Sequence, residues 1–129
     1  MGMDIFVDFV VPNLKIFKVD SLQTVRASGM TGVGRGSSAG RGATSDESGQ
    51  FVVGRLLDDL TSSKIQRYYV TGQNLKKITI LYIQNDKMIQ RIDLGNSILS
   101  SYQILNHEGM ARESFTIDAA KAAAFWFSP

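Results

Sequence analysis

Cysteine is absent from the 129 residues and histidine occurs once. Without thiols there is no disulfide framework and no thiolate nucleophile. With His107 as the single imidazole, only scattered carboxylates remain as metal ligands, so neither metal nor cofactor is expected. His107 stands beside Glu108 in a segment that reads as a turn. A hydrolytic triad needs a serine, a base and an orienting acid that converge in space, and one turn histidine gives no sign of that. The chain is not expected to be an enzyme.

Charge of one sign is also lacking. The formal net charge is +2, too small to argue for nucleic acid as the main partner. No apolar run approaches the ~18 residues that a membrane span needs. The opening MGMDIFVDFVVPNL carries Asp4 and Asp8 within its apolar run and no basic lead-in, unlike a secretory signal. Phe6 stands where a myristoylation pattern wants Ser or Thr. The expectation is a soluble chain without membrane insertion.

Hydrophobic residues make up 43% and charged residues 20%, an ordinary globular balance. The length favours one domain over residues 1–129. Asp4 to Val11 alternates as a strand, with Ile5, Val7, Phe9 and Val11 on one apolar face. Lys15 to Ser28 is rich in β-formers and reads as one long strand, or as two with a bend near Asp20-Ser21. Phe51 to Leu57 reads as a strand with Gly54 as a bulge. The one helix follows: Asp59 or Thr61 caps it, Ile65, Tyr68 and Tyr69 share a side, and Gly72 stops it. Asp58-Asp59 reads as a capping pair rather than as paired catalytic acids.

Three further strands are expected. Lys76 to Ile83 and Lys87 to Leu94 form a hairpin through Gln84-Asn85-Asp86. Ile98 to Leu105 follows a turn at Gly95-Asn96-Ser97, and Asn106 to Arg112 reads as another turn. Six or seven strands with one helix indicate a mainly β fold, a small β-barrel or two-sheet sandwich whose helix closes one end.

The stretch from Gly29 to Gly49 holds seven of the twelve glycines and two GRG triplets. It contains no lysine, so it is not a Walker loop, and no G-x-G-x-x-G occurs in it. Arg35 and Arg41 have an RG flavour, but Asp46 and Glu47 offset them, and two arginines neutralise few phosphates. An RNA-clamping monomer and a small-ligand barrel are the alternatives. A loop of about 20 residues is either functional or disordered, so a partner-docking loop and an idle one both stay open.

The closing strand, Glu113 to Phe127, begins with Phe115, Ile117 and Ala119 inward and Thr116 and Asp118 outward. From Ala119 to Phe127 only Lys121 is charged. Helix is the competing reading for AAKAAAF, since alanine is the best helix former; the β-branched lead-in and the aromatic trio Phe125, Trp126 and Phe127 favour a strand. A strand with two apolar faces needs a second cover. The expectation is a neighbouring copy over Ala120, Ala122, Ala124, Phe125, Trp126 and Phe127.

The order of elements resembles the haemolysin-coregulated protein (Hcp) family, the inner-tube subunit of bacterial type VI secretion systems. The likeness rests on DIFVDF, on Ser28-Gly29-Met30 leading into a Gly/Ser-rich loop, on Asp59 to Gly72, and on Glu113 to Lys121. The chain departs at Ser63, where the family often has proline, and lacks tryptophan between Lys15 and Ser28. The resemblance implies six-membered rings that stack into a hollow tube driven out by a contractile sheath. It implies that the loop at about 29–50 reaches the adjacent ring, with Gly34, Arg35, Gly36, Arg41, Asp46 and Glu47 as contacts. It implies a lumen lined by polar positions such as Gln23, Arg26 and Ser28. The implied partners are the chain itself, the sheath, spike and baseplate proteins, and secreted effectors. The implied location is the bacterial cytoplasm, followed by export through the type VI apparatus.

Overall fold

The computed structural model describes residues 2–12, 14–27, 41–42 and 47–127. Among these, the elements in chain order are β1 (Asp4–Val11), β2 (Leu14–Val19), β3 (Ser21–Ala27), β4 (Arg41–Gly42), β5 (Glu47–Leu56), α1 (Leu60–Thr71), β6 (Leu75–Gln84), β7 (Lys87–His107) and β8 (Met110–Trp126). All pairings are antiparallel, in the order β2-β1-β6-β7-β8-β5-β3, with the short β4 also on β8. The eight strands differ from the expected six or seven because Lys15–Ser28 divides into β2 and β3, the two-residue β4 is added, and the expected strands Lys87–Leu94 and Ile98–Leu105 are one strand, β7.

Two corners fold this sheet over on itself. At one, the chain passes from β2 to β3 through Asp20 alone, whose N–H donates to the Gly54 carbonyl at 2.9 Å. β2 pairs with β1 while β3 pairs with β5, so one bent ribbon belongs to both walls. The other corner is the β7–β8 hairpin. Ile92 and Leu94 of β7 are buried, and then Ser97 and Leu99 are; in β8 the core set runs Phe115, Ile117, Ala119 and then Ala122, Ala124, while Ala123 is buried outside that cluster. Both strands change the parity of their inward residues at the same level, because Gly95 pairs with Lys121 across the break. Asn96 sits there at φ 50, a left-handed conformation that asparagine tolerates better than most residues.

The expected turn at Gly95-Asn96-Ser97 is therefore corrected: one left-handed residue bends β7 but does not reverse it. True reversals occur where two successive residues take positive φ, as type I′ hairpins require. These are Asn85 and Asp86 (φ 52 and 63), and Glu108 and Gly109 (φ 51 and 80). Gly54 is not a bulge either. It stays in register opposite Ser21, and a Cβ there would lie 2.6 Å from the Ser21 hydroxyl. The Ser21 hydroxyl takes the space that a side chain at 54 would fill.

The two walls enclose one apolar core, with Val7, Phe9, Ile78, Ile80, Ile92 and Leu94 on one side and Phe51, Val53, Leu99, Phe115 and Ile117 on the other. Val11 ends β1 exposed, since the register shifts after Phe9. Helix α1 lays Ile65 and Tyr68 on this core, and the Tyr68 ring stacks on Phe9 at 5.8 Å between centroids. Gly72 ends the helix at φ 65.

The expected second cover for the closing strand is also corrected in part. Ala122 and Ala124 are each 1% exposed and belong to the protomer's own core. The parity change turns them inward, and Leu94 and Ile92 pair with them from β7. On the opposite face Phe125 is half-buried under Arg91, whose guanidinium lies 4.5 Å from the ring centre. Ala120 and Trp126 remain exposed, and Phe127 is half-buried.

Candidate functional site

The second wall, β3-β5-β8-β7, carries the most distinctive surface. Its outward side chains form rows fixed by register. Gln23, Val52, Thr116 and Ser101 make one row; Gln50, Asp118 and Ile98 make the next, with the backbone of Arg26 in register beside Gln50; Ser21, Gly54, Ser114 and Gln103 make a third. Amides, hydroxyls and glycine dominate, and the polar groups pair across strands. Gln50 Nε2 donates to Asp118 Oδ1 at 2.8 Å, and the Ser101 and Thr116 hydroxyls lie 2.7 Å apart.

Among the described residues this wall has two open edges. β6 accompanies β7 only as far as Ser97, so Ile98 to His107 bonds to β8 alone, and β3 bonds to β5 alone among the described residues. Open backbone edges are templates for further strands.

Beneath this wall lies a buried polar cluster. Arg55 and Glu113 occupy inward positions of β5 and β8, 7% and 1% exposed. The Glu113 carboxylate accepts from Arg55 Nη1, from Ser62 Oγ at 2.8 Å and from the Tyr102 hydroxyl. It thus joins β5, α1 and β7 to β8. Gln66 Nε2 donates to the Tyr102 oxygen at 2.9 Å, and the Arg55 guanidinium lies 4.9 Å from the Phe17 ring centre. A buried charge demands such partners, since desolvation without them is costly. Burial, joined by the hydrogen bond to Glu113, pushes the Tyr102 hydroxyl up to about 12.

Arg55 also reaches Asp58 Oδ2 at 2.7 Å. The other Asp58 oxygen accepts from the N–H groups of Thr61 (2.8 Å) and Ser62 (3.1 Å), so Asp58 is the capping carboxylate. Asp59 makes no side-chain cap bond, which corrects the expectation that Asp59 or Thr61 caps the helix. Burial works to raise the Asp58 carboxyl, but Arg55 and the two N–H donors outweigh it and hold it below the ordinary carboxylate value.

Of the expected lumen residues, Gln23 is exposed on the polar wall, Arg26 lies on β3 opposite Gln50, and Ser28 lies outside the described residues. Of the expected loop contacts, Gly34, Arg35, Gly36 and Asp46 also lie outside them. Arg41 pairs through its backbone with Trp126, and Glu47 pairs with Ala122. Among the described residues no group of three or more His, Asp or Glu side chains is placed to hold a metal ion. No helix among them is long and apolar enough to cross a membrane.

A bent, all-antiparallel barrel with one flanking helix is the fold of the Hcp proteins. Hcp1 from Salmonella typhimurium is similar with a TM-score of 0.71 at 11% identity, over 99% of this chain and 88% of that one. Hcp3 from Pseudomonas aeruginosa, a secreted protein, is similar at 0.64 and 10% identity, over 98% and 100%. A type VI secretion system effector from Yersinia pestis is similar at 0.64 and 14% identity, over 94% and 86%. The sequence matches no family model and no curated protein. The likeness is one of fold.

Proposed function

We propose that the chain is a structural subunit of a type VI secretion tube, in which identical copies form rings that stack around a channel. The observation that carries this reading is the polar wall with two open edges. Its four strands alternate in direction, so β7 of one copy would lie antiparallel to β3 of the next. Head-to-tail repetition then continues the sheet without a parallel fault, as a heterologous contact closing by rotation requires. The polar outward rows, Gln23 included, would line the channel, where effectors travel, and the expected lumen residue Arg26 stays with them as a candidate.

Six copies per ring follow from the family resemblance, as do sheath, spike and baseplate partners. So does a path from the bacterial cytoplasm out through the apparatus. The exposed Ala120 and Trp126, with half-buried Phe125 and Phe127, remain candidates for subunit contact. The loop residues Gly34, Arg35, Gly36 and Asp46, together with Arg41 of β4 and Glu47 at the start of β5, are assigned to contact with the adjacent ring. No feature of the described surfaces favours the RNA-binding alternative.

Negative-stain images of the purified protein are expected to show rings. Monodisperse monomers at high concentration would overturn the reading. Deleting residues 32–40, which spares β4, is expected to leave rings intact and to abolish their stacking. Loss of the rings themselves would refute the loop assignment.

A further inference from the structure

We infer that Tyr102 is a positioning residue for assembly: its half-buried hydroxyl bonds fix the open β7 edge in the geometry that a second copy pairs with. The inference rests on the tube-subunit reading. The β7 edge has a specific weakness. From Ile98 onward it has one bonded neighbour, and its register against β8 slips between Leu99 and Ser101, just before Tyr102. A bulge bends a strand and increases its twist, so the direction of the edge beyond this point is not set by the ladder alone. Half-paired strands also open readily.

Tyr102 is where the edge is tied down. Its hydroxyl donates to Glu113 of β8 and accepts from Gln66 of α1, and its ring lies 6.1 Å from that of Tyr69, stacked. Glu113 is in turn held by Arg55 of β5 and Ser62 of α1. One phenol therefore links the open edge to the two strands behind it and to the helix beside it. The opposite edge, β3, has a different anchor. Asp20 at its start accepts from Arg112 Nη2 at 2.6 Å, and the Asp20 N–H bonds to Gly54. Each edge is thus pinned from the wall's own interior strands before any partner arrives, which lowers the ordering cost of association.

The test compares Tyr102→Phe with Ser62→Ala. The first releases the edge, whereas the second removes a helix contact to the same carboxylate and leaves Tyr102 in place. Protomer stability is read by urea denaturation at high dilution, and ring assembly by analytical ultracentrifugation. Tyr102→Phe is expected to weaken assembly about tenfold, the equivalent of one net hydrogen bond. Ser62→Ala is expected to assemble like the unaltered chain despite a comparable loss of protomer stability. Wild-type assembly by Tyr102→Phe overturns the inference, and so does weakening by both variants in proportion to their stability loss. If Tyr102→Phe does not fold, Gln66→Ala replaces it, since it removes a bond to the same hydroxyl; unchanged assembly in that variant overturns the inference equally. Failure of the unaltered chain to form rings instead refutes the tube reading beneath it.

Discussion

Replacing Glu113 by glutamine keeps the side chain's shape and removes its charge beneath the polar wall. Arg55, 7% exposed, then loses its buried counter-ion. Breaking a buried ion pair by removing one partner costs roughly 3–5 kcal/mol. The lower end applies, because Arg55 keeps Asp58, although that side chain is 46% exposed and the remaining pair is screened. Ser62 and Arg55 share one carboxylate oxygen and Tyr102 uses the other, so the single amide oxygen can keep one side of this arrangement only, and the loss combines charge pairing with a hydrogen bond. For a domain of this size about 3 kcal/mol corresponds to a fall of about 10 °C in Tm. Urea denaturation of dilute protomer, with m unchanged, measures it directly. The double variant Arg55→Met/Glu113→Leu removes both charges and is expected to recover to within about 1 kcal/mol of the original. A Glu113→Gln loss under about 1 kcal/mol, or no recovery in the double variant, refutes the account of the cluster as a buried ion pair.

Asp58→Ala is expected to cost about 1 kcal/mol through the lost cap, and Asp59→Ala under about 0.5, as thermal melts should show. Because the Asp58 carboxyl is held below its ordinary value of 3.8, its stabilisation is complete above that value and fades as pH falls through the lower folded value. The Tyr102 hydroxyl is raised, so its contribution is complete below 10.0 and is lost as pH climbs toward about 12. Urea midpoints across both ranges should fall at each end, and Tyr102→Phe should remove its part of the alkaline fall. Ala122→Leu or Ala124→Leu is expected to cost about 1–3 kcal/mol in the isolated protomer by overpacking. Ala120→Leu, on the exposed side, should leave the protomer within about 0.5; equal behaviour of all three would contradict the inward placement.

Much of the framework was legible in local pattern. Alternation marked β1 as far as Phe9, with Val11 turned out by the register shift, Gly72 marked the helix end, and the Asn85-Asp86 and Glu108-Gly109 reversals fell where small and amide residues clustered. The β reading of AAKAAAF held against alanine's helical preference because β7 and β5 flank it on both sides. What local pattern misses is a change of parity. The alternation that starts at Phe115 was carried past Ala120–Lys121, where the corner exchanges inside and outside. Lys121, which unbroken alternation would have put in the core, was the one polar mark of the exchange, and the alanines around it favour neither face. The buried cluster did leave a trace: Glu113 shares parity with Phe115, and Arg55 with Phe51 and Val53. A charge at an inward position calls for a partner of opposite sign, but nothing in the sequence says that strands 58 residues apart supply it.

The β7–β8 hairpin passes through both walls, and so does the β2–β3 ribbon at the opposite corner. The barrel therefore has no seam along which one wall could slide over the other by shear of side-chain contacts alone. A load applied to one wall passes to the other along covalent backbone, as a hem carries tension around the edge of a folded cloth. In the tube proposed above, each unit would have to stretch its own chain before its walls could part.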